Sequence, residues 1–310
     1  MTTLQIIFLV IFCVTIFVAL ICFAIVEISY QISLRRNNFV VKNIHKNTYK
    51  NLDKYQIDFA WWDKQNVKNV SIKSQDNLNL CAKIIEKNNN QFAVVVHGYG
   101  AEGSEMQQYA KMFVDFGFSV LVPDNRAHGK SEGKTITRGY KDKYDVLSWI
   151  KFVNKNYNPE KIVVLGMSMG GATVCMLSGL DLPKNVKAII SDCAYTNAYD
   201  ILQNTQKNSA LRYLPAMKMF NKYAKKRAGF VLKDADAISA VQKTKVPILY
   251  VHGNKDDFVP FYMQDLLYNN TPKNLRQKVV IENSEHAENL VKGGEFYKQE
   301  VSKFLDKYAK

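Results

Sequence analysis

The chain has 310 residues, which is enough to bury a continuous hydrophobic core. Apolar residues make up 47% and charged residues 23%, values that are typical of globular proteins and exclude a mainly disordered, collagen-like or coiled-coil chain. There are 42 Lys and Arg against 28 Asp and Glu, and the net charge of +14 favours anionic neighbours such as phospholipid or nucleic acid. The 5 cysteines are scattered without a CxxC pair, so they indicate neither a disulfide framework nor a zinc site.

The first predicted element is a membrane-spanning helix over residues 4–26. This stretch carries no charge, and about 20 apolar residues suffice to cross the hydrocarbon as a helix. A cleaved signal peptide is the alternative, but it would need a basic start and a shorter apolar stretch, and Met1–Gln5 holds no Lys or Arg. Basic residues follow the span and none precedes it, which predicts a single-pass protein with its large domain on the cytoplasmic side. They are Arg35, Arg36, Lys42, Lys46 and Lys50.

A linker rich in Asn and Lys, over residues 27–64, leads to a large domain over residues 65–310. Two alternating runs, Val67–Ser74 and Leu78–Ile85, predict an antiparallel hairpin because a short polar turn separates them. Short apolar runs then alternate with helix-length segments, which predicts an α/β fold with a mostly parallel central sheet flanked by helices. The predicted strands are Phe92–Val96, Ser119–Val122, Ile162–Leu165, Ala188–Ile190, Ile248–Val251 and Val279–Ile281. The predicted helices are Tyr144–Asn154, Met169–Leu177, Phe261–Tyr268 and Glu295–Tyr308.

The alternation breaks over about residues 199–245, an insert with ten Lys or Arg residues and three Asp residues. Four apolar residues recur at three-residue spacing and predict a helix with one apolar face beneath a basic one. They are Leu211, Leu214, Met217 and Phe220. Two interpretations stay open: a solvated helical excursion whose apolar face packs on the core, or a lid over a pocket whose basic side lies against anionic lipid.

A candidate nucleophile stands in the segment 166–171, which reads Gly-Met-Ser-Met-Gly-Gly. A serine hydroxyl becomes a nucleophile when a sharp turn between a strand and a helix lifts it into reach of a base. Ser168 has this context, because residues 161–165 predict a strand and residues 172–177 a helix. A serine that binds phosphate at a helix N-terminus is the alternative, but the Lys that a phosphate loop needs does not follow.

The nucleophile needs a base, and the base needs a carboxylate that fixes its tautomer. His286 and Asp256 both follow predicted strands, and the carboxyl ends of parallel strands are where chemistry collects in such sheets. The order Ser168, Asp256, His286 is that of one hydrolase architecture and differs from the chymotrypsin and subtilisin orders.

Other titratable residues are alternatives or are expected to be structural. Asp257 neighbours Asp256, and Asp192 ends another predicted strand, so either is an alternative acid. Three of the remaining histidines, His97, His128 and His252, are expected to brace loops. The fourth, His45, lies in the predicted linker. None of them forms a metal spacing such as HExxH, so no metal is expected.

With these segments the chain resembles the α/β-hydrolase superfamily over roughly residues 65–308. It is most similar to bacterial membrane-anchored members that are grouped with serine aminopeptidase-like and cinnamoyl-ester-hydrolase-like sequences. The resemblance also rests on three further segments, His97–Gly100, Asp124–Gly133 and Ser191–Thr196. Ala127 departs from the family, which usually has Gly at this place in its RGHG segment.

The resemblance implies an oxyanion hole formed by the backbone N–H groups of Tyr99 and Met169. It further implies a serine hydrolase that cleaves a carboxylic ester or related acyl bond through an acyl-enzyme, without a cofactor. The expected partners are a small-molecule or lipid-like ester and the membrane, reached through the N-terminal helix and the basic insert. A serine aminopeptidase-like peptidase and a non-catalytic, membrane-tethered binding protein stay open as alternatives. Nucleic acid is not expected, because no recognition motif is present.

Overall fold

The computed structural model describes residues 2–50, 53–87, 90–205 and 214–309. Its centre is one sheet of eight strands in the order β1-β2-β4-β3-β5-β6-β7-β8. The first two strands and the β2–β4 pair are antiparallel, and all other pairs are parallel. The strands are Val67–Lys73, Asn79–Ile85, Gln91–Val96, Ser119–Pro123, Lys161–Met167, Val186–Asp192, Ile248–Gly253 and Arg276–Ile281. The predicted hairpin and the mostly parallel sheet are therefore confirmed.

Eleven α-helices are described, and they surround this sheet or precede it. Helices α1 to α6 are Thr3–Ser33, Phe39–Lys50, Phe59–Asp63, Gln107–Asp115, Asp142–Tyr157 and Met169–Ser178. Helices α7 to α11 are Ala198–Thr205, Leu214–Ala228, Ala237–Val241, Tyr262–Asn270 and Asn289–Tyr308.

The central strands read as continuous apolar runs because helices cover both faces of the sheet. Side chains of a strand alternate between the faces, and in β5 Val164 joins one core cluster while Val163 and Leu165 join the other. Helices α5 and α6 pack on the first face, where Trp149 is fully buried. Helices α4 and α11 pack on the second face, where Phe304 is fully buried.

The insert contains α7, α8 and α9. Its predicted apolar face is seen at Met217 and Phe220, which are buried in the core, whereas Leu214 begins α8 and Leu211 lies outside the described residues. Among the described residues of α8 the lysines are exposed, so one face is basic and the other packs inward. This arrangement corresponds to the first of the two interpretations of the insert.

The N-terminal helix α1 differs along its length. Its first part is exposed and apolar, and is long enough to cross a membrane, which makes it a candidate membrane span or signal sequence. Its last turns are different, because Val26, Tyr30 and Leu34 recur at four-residue spacing and are buried against the core of the large domain.

The residues predicted as a linker are folded onto the large domain. The Arg36 guanidinium donates to the backbone carbonyls of Ser131 and Gly129, at 2.5 and 2.7 Å. The N–H of Ile136 donates to the carbonyl of Leu34 at 2.7 Å. Two helices, α2 and α3, follow in the same segment. The polar composition of residues 27–64 predicted a linker without packing of its own. One apolar residue per helical turn is nevertheless enough for this segment to pack on the large domain.

Replacement of Leu34 by Ala tests this docking. Leu34 is fully buried, so we expect Leu34→Ala to lower the free energy of unfolding by about 2–5 kcal/mol through the cavity that it leaves. Phe39→Ala is the matched control, because Phe39 is 70% exposed and its truncation should change stability by no more than about 0.5 kcal/mol. Denaturant unfolding of the detergent-solubilised full chain measures both. Equal stability of the two variants would contradict the docked arrangement.

Candidate active site

Ser168 occupies a strained turn between β5 and α6. Its backbone has φ 56° and ψ −114°, a conformation that residues with a side chain rarely adopt. The Ser168 N–H donates to the carbonyl of Asp192 at 2.8 Å and so holds the turn. A Cβ atom at Gly166 would collide with the backbone of Gly170, and one at Gly170 with the carbonyl of Val96. Gly166 and Gly170 are therefore required because β5, α6 and the neighbouring strand β3 approach one another closely here.

The three residues predicted as a triad meet above the carboxyl edge of the sheet. Ser168 Oγ lies 2.8 Å from His286 Nε2, and His286 Nδ1 lies 2.7 Å from Asp256 Oδ2. Asp256 is fixed by its other oxygen, which accepts the N–H groups of Phe258 at 3.0 Å and Val259 at 2.8 Å. The imidazole is thus oriented with one nitrogen toward the carboxylate and the other toward the hydroxyl.

A second histidine contacts the same carboxylate. His252 Nε2 lies 3.1 Å from Asp256 Oδ2 and 2.9 Å from the carbonyl of Val259. Burial by itself would raise the pKa of Asp256, but the hydrogen bonds from His252 and His286 outweigh it and hold the pKa well below its usual range. Asp256 therefore remains ionised, as a residue that stabilises an imidazolium must be. The sequence predicted only a loop-bracing role for His252.

The loop after β3 passes over the nucleophile. A Cβ atom at Gly98 would lie 3.3 Å from Ser168 Cβ, and the next residue, Tyr99, lines the same cavity as Ser168. Met169, the other predicted oxyanion donor, is the first residue of α6 and is buried. The two predicted oxyanion positions thus belong to segments that adjoin Ser168, and their role as donors stays a prediction.

Comparison with known proteins agrees with this architecture. The family described as "alpha/beta hydrolase fold" matches residues 94–218. The chain therefore has the α/β-hydrolase fold. It is 27% identical over 218 residues to the uncharacterized protein YqkD of Bacillus subtilis, a match that covers 69% of this chain and 70% of that protein. It is 26% identical over 178 residues to the lysophosphatidylserine lipase ABHD12 of Danio rerio, which covers 54% of this chain and 43% of the lipase.

Solved structures resemble the same domain. An esterase of Pyrococcus furiosus superposes with a TM-score of 0.65 at 21% sequence identity, covering 79% of this chain and 92% of the esterase. At this identity the likeness shows the fold of the α/β-hydrolase domain.

The two alternative acids, Asp192 and Asp257, differ from Asp256 in their surroundings. Asp192 is fully buried and accepts hydrogen bonds from Tyr109 at 2.9 Å, Tyr297 at 2.8 Å and Asn289 at 2.6 Å. Burial raises its pKa against the effect of these donors. Asp257 is exposed. Asp192 thus joins the sheet edge to α4 and α11, and Asp256 is the acid that contacts His286.

Two buried histidines brace the loop after β3, as expected. His97 Nε2 accepts the N–H of Asn125 at 2.9 Å, and its Nδ1 donates to the carbonyl of Gly98 at 2.7 Å. His128 Nε2 accepts the N–H of Gly100 at 3.2 Å. Burial lowers the pKa of His97 to about 4 and that of His128 to about 3, so both stay neutral near pH 7 and can accept these hydrogen bonds.

A cavity of about 250 Å³ opens at Ser168 and His286. Its walls are mostly apolar and include Ile44, Tyr55, Ile57, Met106, Met167 and Phe258. The Phe258 ring also packs against the imidazole of His286, with ring centroids 4.8 Å apart. None of the insert's described residues lines the cavity. The segment after the N-terminal helix provides three wall residues, and no motif in the sequence marked them.

One buried carboxyl group lies in the wall of the cavity. Glu105 comes from the 3₁₀ turn before α4, and its Oε1 lies 3.0 Å from Nδ1 of His45, a residue predicted only to lie in the linker. Burial raises the pKa of Glu105, and the pKa of His45 is raised chiefly by its hydrogen bond to Glu105. The pair gives an otherwise apolar cavity one polar side.

A thiol lies beside the triad, and the possible ligand atoms of Cys193, Asp256 and His286 are within 4.8 Å of one another. A metal would need the thiolate. Burial and the nearby Asp192 and Asp256 carboxylates raise the pKa of Cys193 well above its usual value, which keeps the thiol protonated. This donor set fits a hydrogen-bonded triad better than a metal centre.

Proposed function

We propose that this α/β-hydrolase is a membrane-anchored serine hydrolase that cleaves a carboxylic ester through an acyl-enzyme intermediate. The observation that carries the proposal is the continuous hydrogen-bonded chain from Ser168 Oγ to His286, at 2.8 Å, and on to Asp256, at 2.7 Å. The strained turn that exposes the hydroxyl beside an apolar cavity supports it further.

In this mechanism Ser168 Oγ attacks the ester carbonyl while His286 Nε2 takes the hydroxyl proton. Asp256 stabilises the imidazolium, and the N–H groups of Tyr99 and Met169 stabilise the oxyanion, where loss of one donor costs about 3 kcal/mol. The C–O bond to the alcohol then breaks, and His286 returns its proton to the leaving oxygen. Water, deprotonated by the same imidazole, attacks the acyl-enzyme and releases the carboxylic acid and free Ser168.

Reaction with a fluorophosphonate probe tests the nucleophile. We expect the folded full chain to be labelled at Ser168 and Ser168→Ala to remain unlabelled. Asp256→Asn should slow labelling by up to about 10⁴-fold, because the imidazole loses its correct tautomer. Asp192→Asn is the matched control: it disturbs a buried carboxylate that contacts no triad residue and should lower stability more than the labelling rate.

The opposite outcome is also defined. A folded wild-type chain that never reacts with the probe would contradict the hydrolase proposal and favour the non-catalytic, membrane-tethered binding protein.

The favoured substrate is an amphiphilic, lipid-like ester. The apolar walls of the cavity support an acyl chain, and the relative from Danio rerio bears the name of a lysophosphatidylserine lipase. A peptidase is the second candidate, because an aminopeptidase-like enzyme needs an acidic group that holds the substrate amine. Glu105 is such a group in the cavity wall, although its partner His45 already occupies one of its oxygens.

A series of nitrophenyl esters separates these candidates. We expect kcat/KM to rise from acetyl to medium or long acyl chains, since each buried CH₂ contributes about 0.8 kcal/mol. Aminoacyl anilides should be poor substrates, and Glu105→Gln should change ester hydrolysis less than Ile57→Trp, which reduces the apolar volume. Preference for the acetyl ester would contradict the lipid-like substrate. Efficient anilide cleavage that is lost in Glu105→Gln would favour the peptidase.

We infer that α1 is retained as a membrane anchor and is not a cleaved signal. Val26, Tyr30 and Leu34 support this inference, because removal of the helix would strip buried side chains from the domain. The apolar residues before them are exposed and need a lipid environment.

We further propose that the catalytic domain is cytoplasmic and that its basic insert lies on anionic headgroups. Helix α8 packs along the end of α1, where the Tyr223 hydroxyl bonds to Glu27 and the Arg227 guanidinium lies 5.5 Å from the ring centre of Tyr30. Four lysines of α8 are exposed beside this junction; they are Lys218, Lys222, Lys225 and Lys226. The anionic cytoplasmic leaflet attracts such a cluster, in agreement with the basic residues that follow the span.

Cys81 reports the orientation. It is half-buried and outside α1, whereas Cys175 and Cys193 are fully buried. A maleimide that cannot cross membranes should leave Cys81 unmodified in intact cells and modify it once the membranes are opened. The Cys81→Ser variant is the control, because it shows which part of the labelling comes from Cys81. Modification of Cys81 in intact cells would reverse the proposed orientation.

A further inference from the structure

The side chain of Tyr99 is held by the end of the N-terminal helix. Its hydroxyl accepts a hydrogen bond from Asn38 Nδ2 at 2.8 Å. The same hydroxyl lies 3.3 Å from the carbonyls of Ile32 and Ser33, the last two residues of α1, and donates to them. The residue whose backbone is assigned to the oxyanion hole is therefore tied by its tip to the candidate membrane helix.

Asn38 is itself rigidly placed at the corner between α1 and α2. Its Nδ2 also donates to the carbonyl of Arg35 at 2.7 Å, and its Oδ1 accepts the N–H of Val41 at 2.9 Å. The side chain is only 7% exposed, and all its polar atoms are used in this way. Asn38 thus closes the first turn of α2 and presents one N–H group to Tyr99.

A third contact holds the Tyr99 ring. The Arg138 guanidinium lies 4.2 Å from the ring centre, within the range of a cation–π interaction. Arg138 Nη2 also donates to the carbonyl of Ser33 at 3.0 Å, so the same cation joins the ring to the end of α1. The Tyr99 hydroxyl and the Tyr99 ring are therefore both held by residues around the C-terminal end of α1.

We propose that Asn38 is a positioning residue for the oxyanion loop, so that the end of the membrane helix takes part in setting the rate of acyl transfer. The proposal rests on the proposed function. Oxyanion donors act only when they are preorganised, and a misplacement of about 1 Å can cost on the order of 10²-fold in rate. Because the Tyr99 ring and the Tyr99 backbone belong to one residue, fixing the ring limits the movement of its N–H group. Asn38 itself does not line the cavity.

The test uses two variants of the detergent-solubilised full chain, Asn38→Ala and Tyr99→Phe. Both remove the same hydrogen bond, and Tyr99→Phe keeps the ring over Arg138 and the side-chain volume. We expect each to lower kcat for a nitrophenyl ester by about 10-fold with little change in KM, since the oxyanion exists in the transition state and not in the bound substrate. The double variant should lose less than the product of the two single losses, because the hydrogen bond between Asn38 and Tyr99 is removed by both.

Tyr223→Phe is the matched control. It removes another tyrosine hydroxyl that bonds to α1, at Glu27, but it does not touch the loop after β3. We expect its kcat to stay at the wild-type value. Rates are normalised to the serines that the fluorophosphonate labels, so that loss of folded protein is not read as loss of rate.

The proposal is overturned if Asn38→Ala and Tyr99→Phe keep the wild-type kcat, or if Tyr223→Phe lowers kcat as much as they do. Should Asn38→Ala fail to fold, Tyr99→Phe alone decides. A wild-type chain that does not react with the probe would be a failure of the proposed function and would be recognised before any variant is compared.

Discussion

The candidate active-site edge of the sheet depends on one strained backbone turn at Ser168. A φ of 56° costs free energy for a residue with a side chain, so the surroundings must impose it. They do so through the hydrogen bond to the Asp192 carbonyl and through the absence of side chains at Gly166 and Gly170, where strand and helix meet. The buried strand β5 supplies the rigid frame. In this turn the Ser168 hydroxyl lies in the cavity wall, 2.8 Å from His286 Nε2.

The register of the parallel strands places the loops that carry Asp256 and His286 at the same edge of the sheet as Ser168. Gly166 is level with Val96 on one neighbouring strand and with Ser191 on the other. On the far side of the sheet Gly253 is level with Ile281, so the loops that carry Asp256 and His286 leave the same edge. Asp256 and His286 are about 30 residues apart in the chain, and they meet because each of their loops starts at the carboxyl end of its strand.

This register explains what the sequence could predict. Turn glycines, alternating strands and a Ser–Asp–His order depend on local chemistry, and they located the sheet and the residues that meet at its edge. Contacts across the chain have no such signal. The His252 contact to Asp256 and the pairing of His45 with Glu105 depend on tertiary packing. The polar stretch over residues 27–64 contains five buried apolar side chains, Tyr30, Leu34, Val41, Ile57 and Trp62. Ala127 is a related case, since its φ of 60° is the left-handed conformation for which the superfamily usually has Gly.

The same contrast between local motifs and tertiary contacts separates the residues that meet at Ser168 from those that form the cavity wall. Ser168, Asp256 and His286 stand in short motifs at the edge of the sheet, whereas the cavity wall includes Ile44, Tyr55 and Ile57 from the segment that follows α1. That segment is continuous with the candidate membrane helix, and Arg36 and the Leu34 carbonyl fasten it to the domain. A domain cut away from residues 1–64 would keep Ser168, Asp256 and His286 but lose three residues of the cavity wall and the hydrogen bonds to Tyr99. The N-terminal helix, the cavity wall and the loop after β3 therefore form one structural unit, and the shape of the cavity depends on all three.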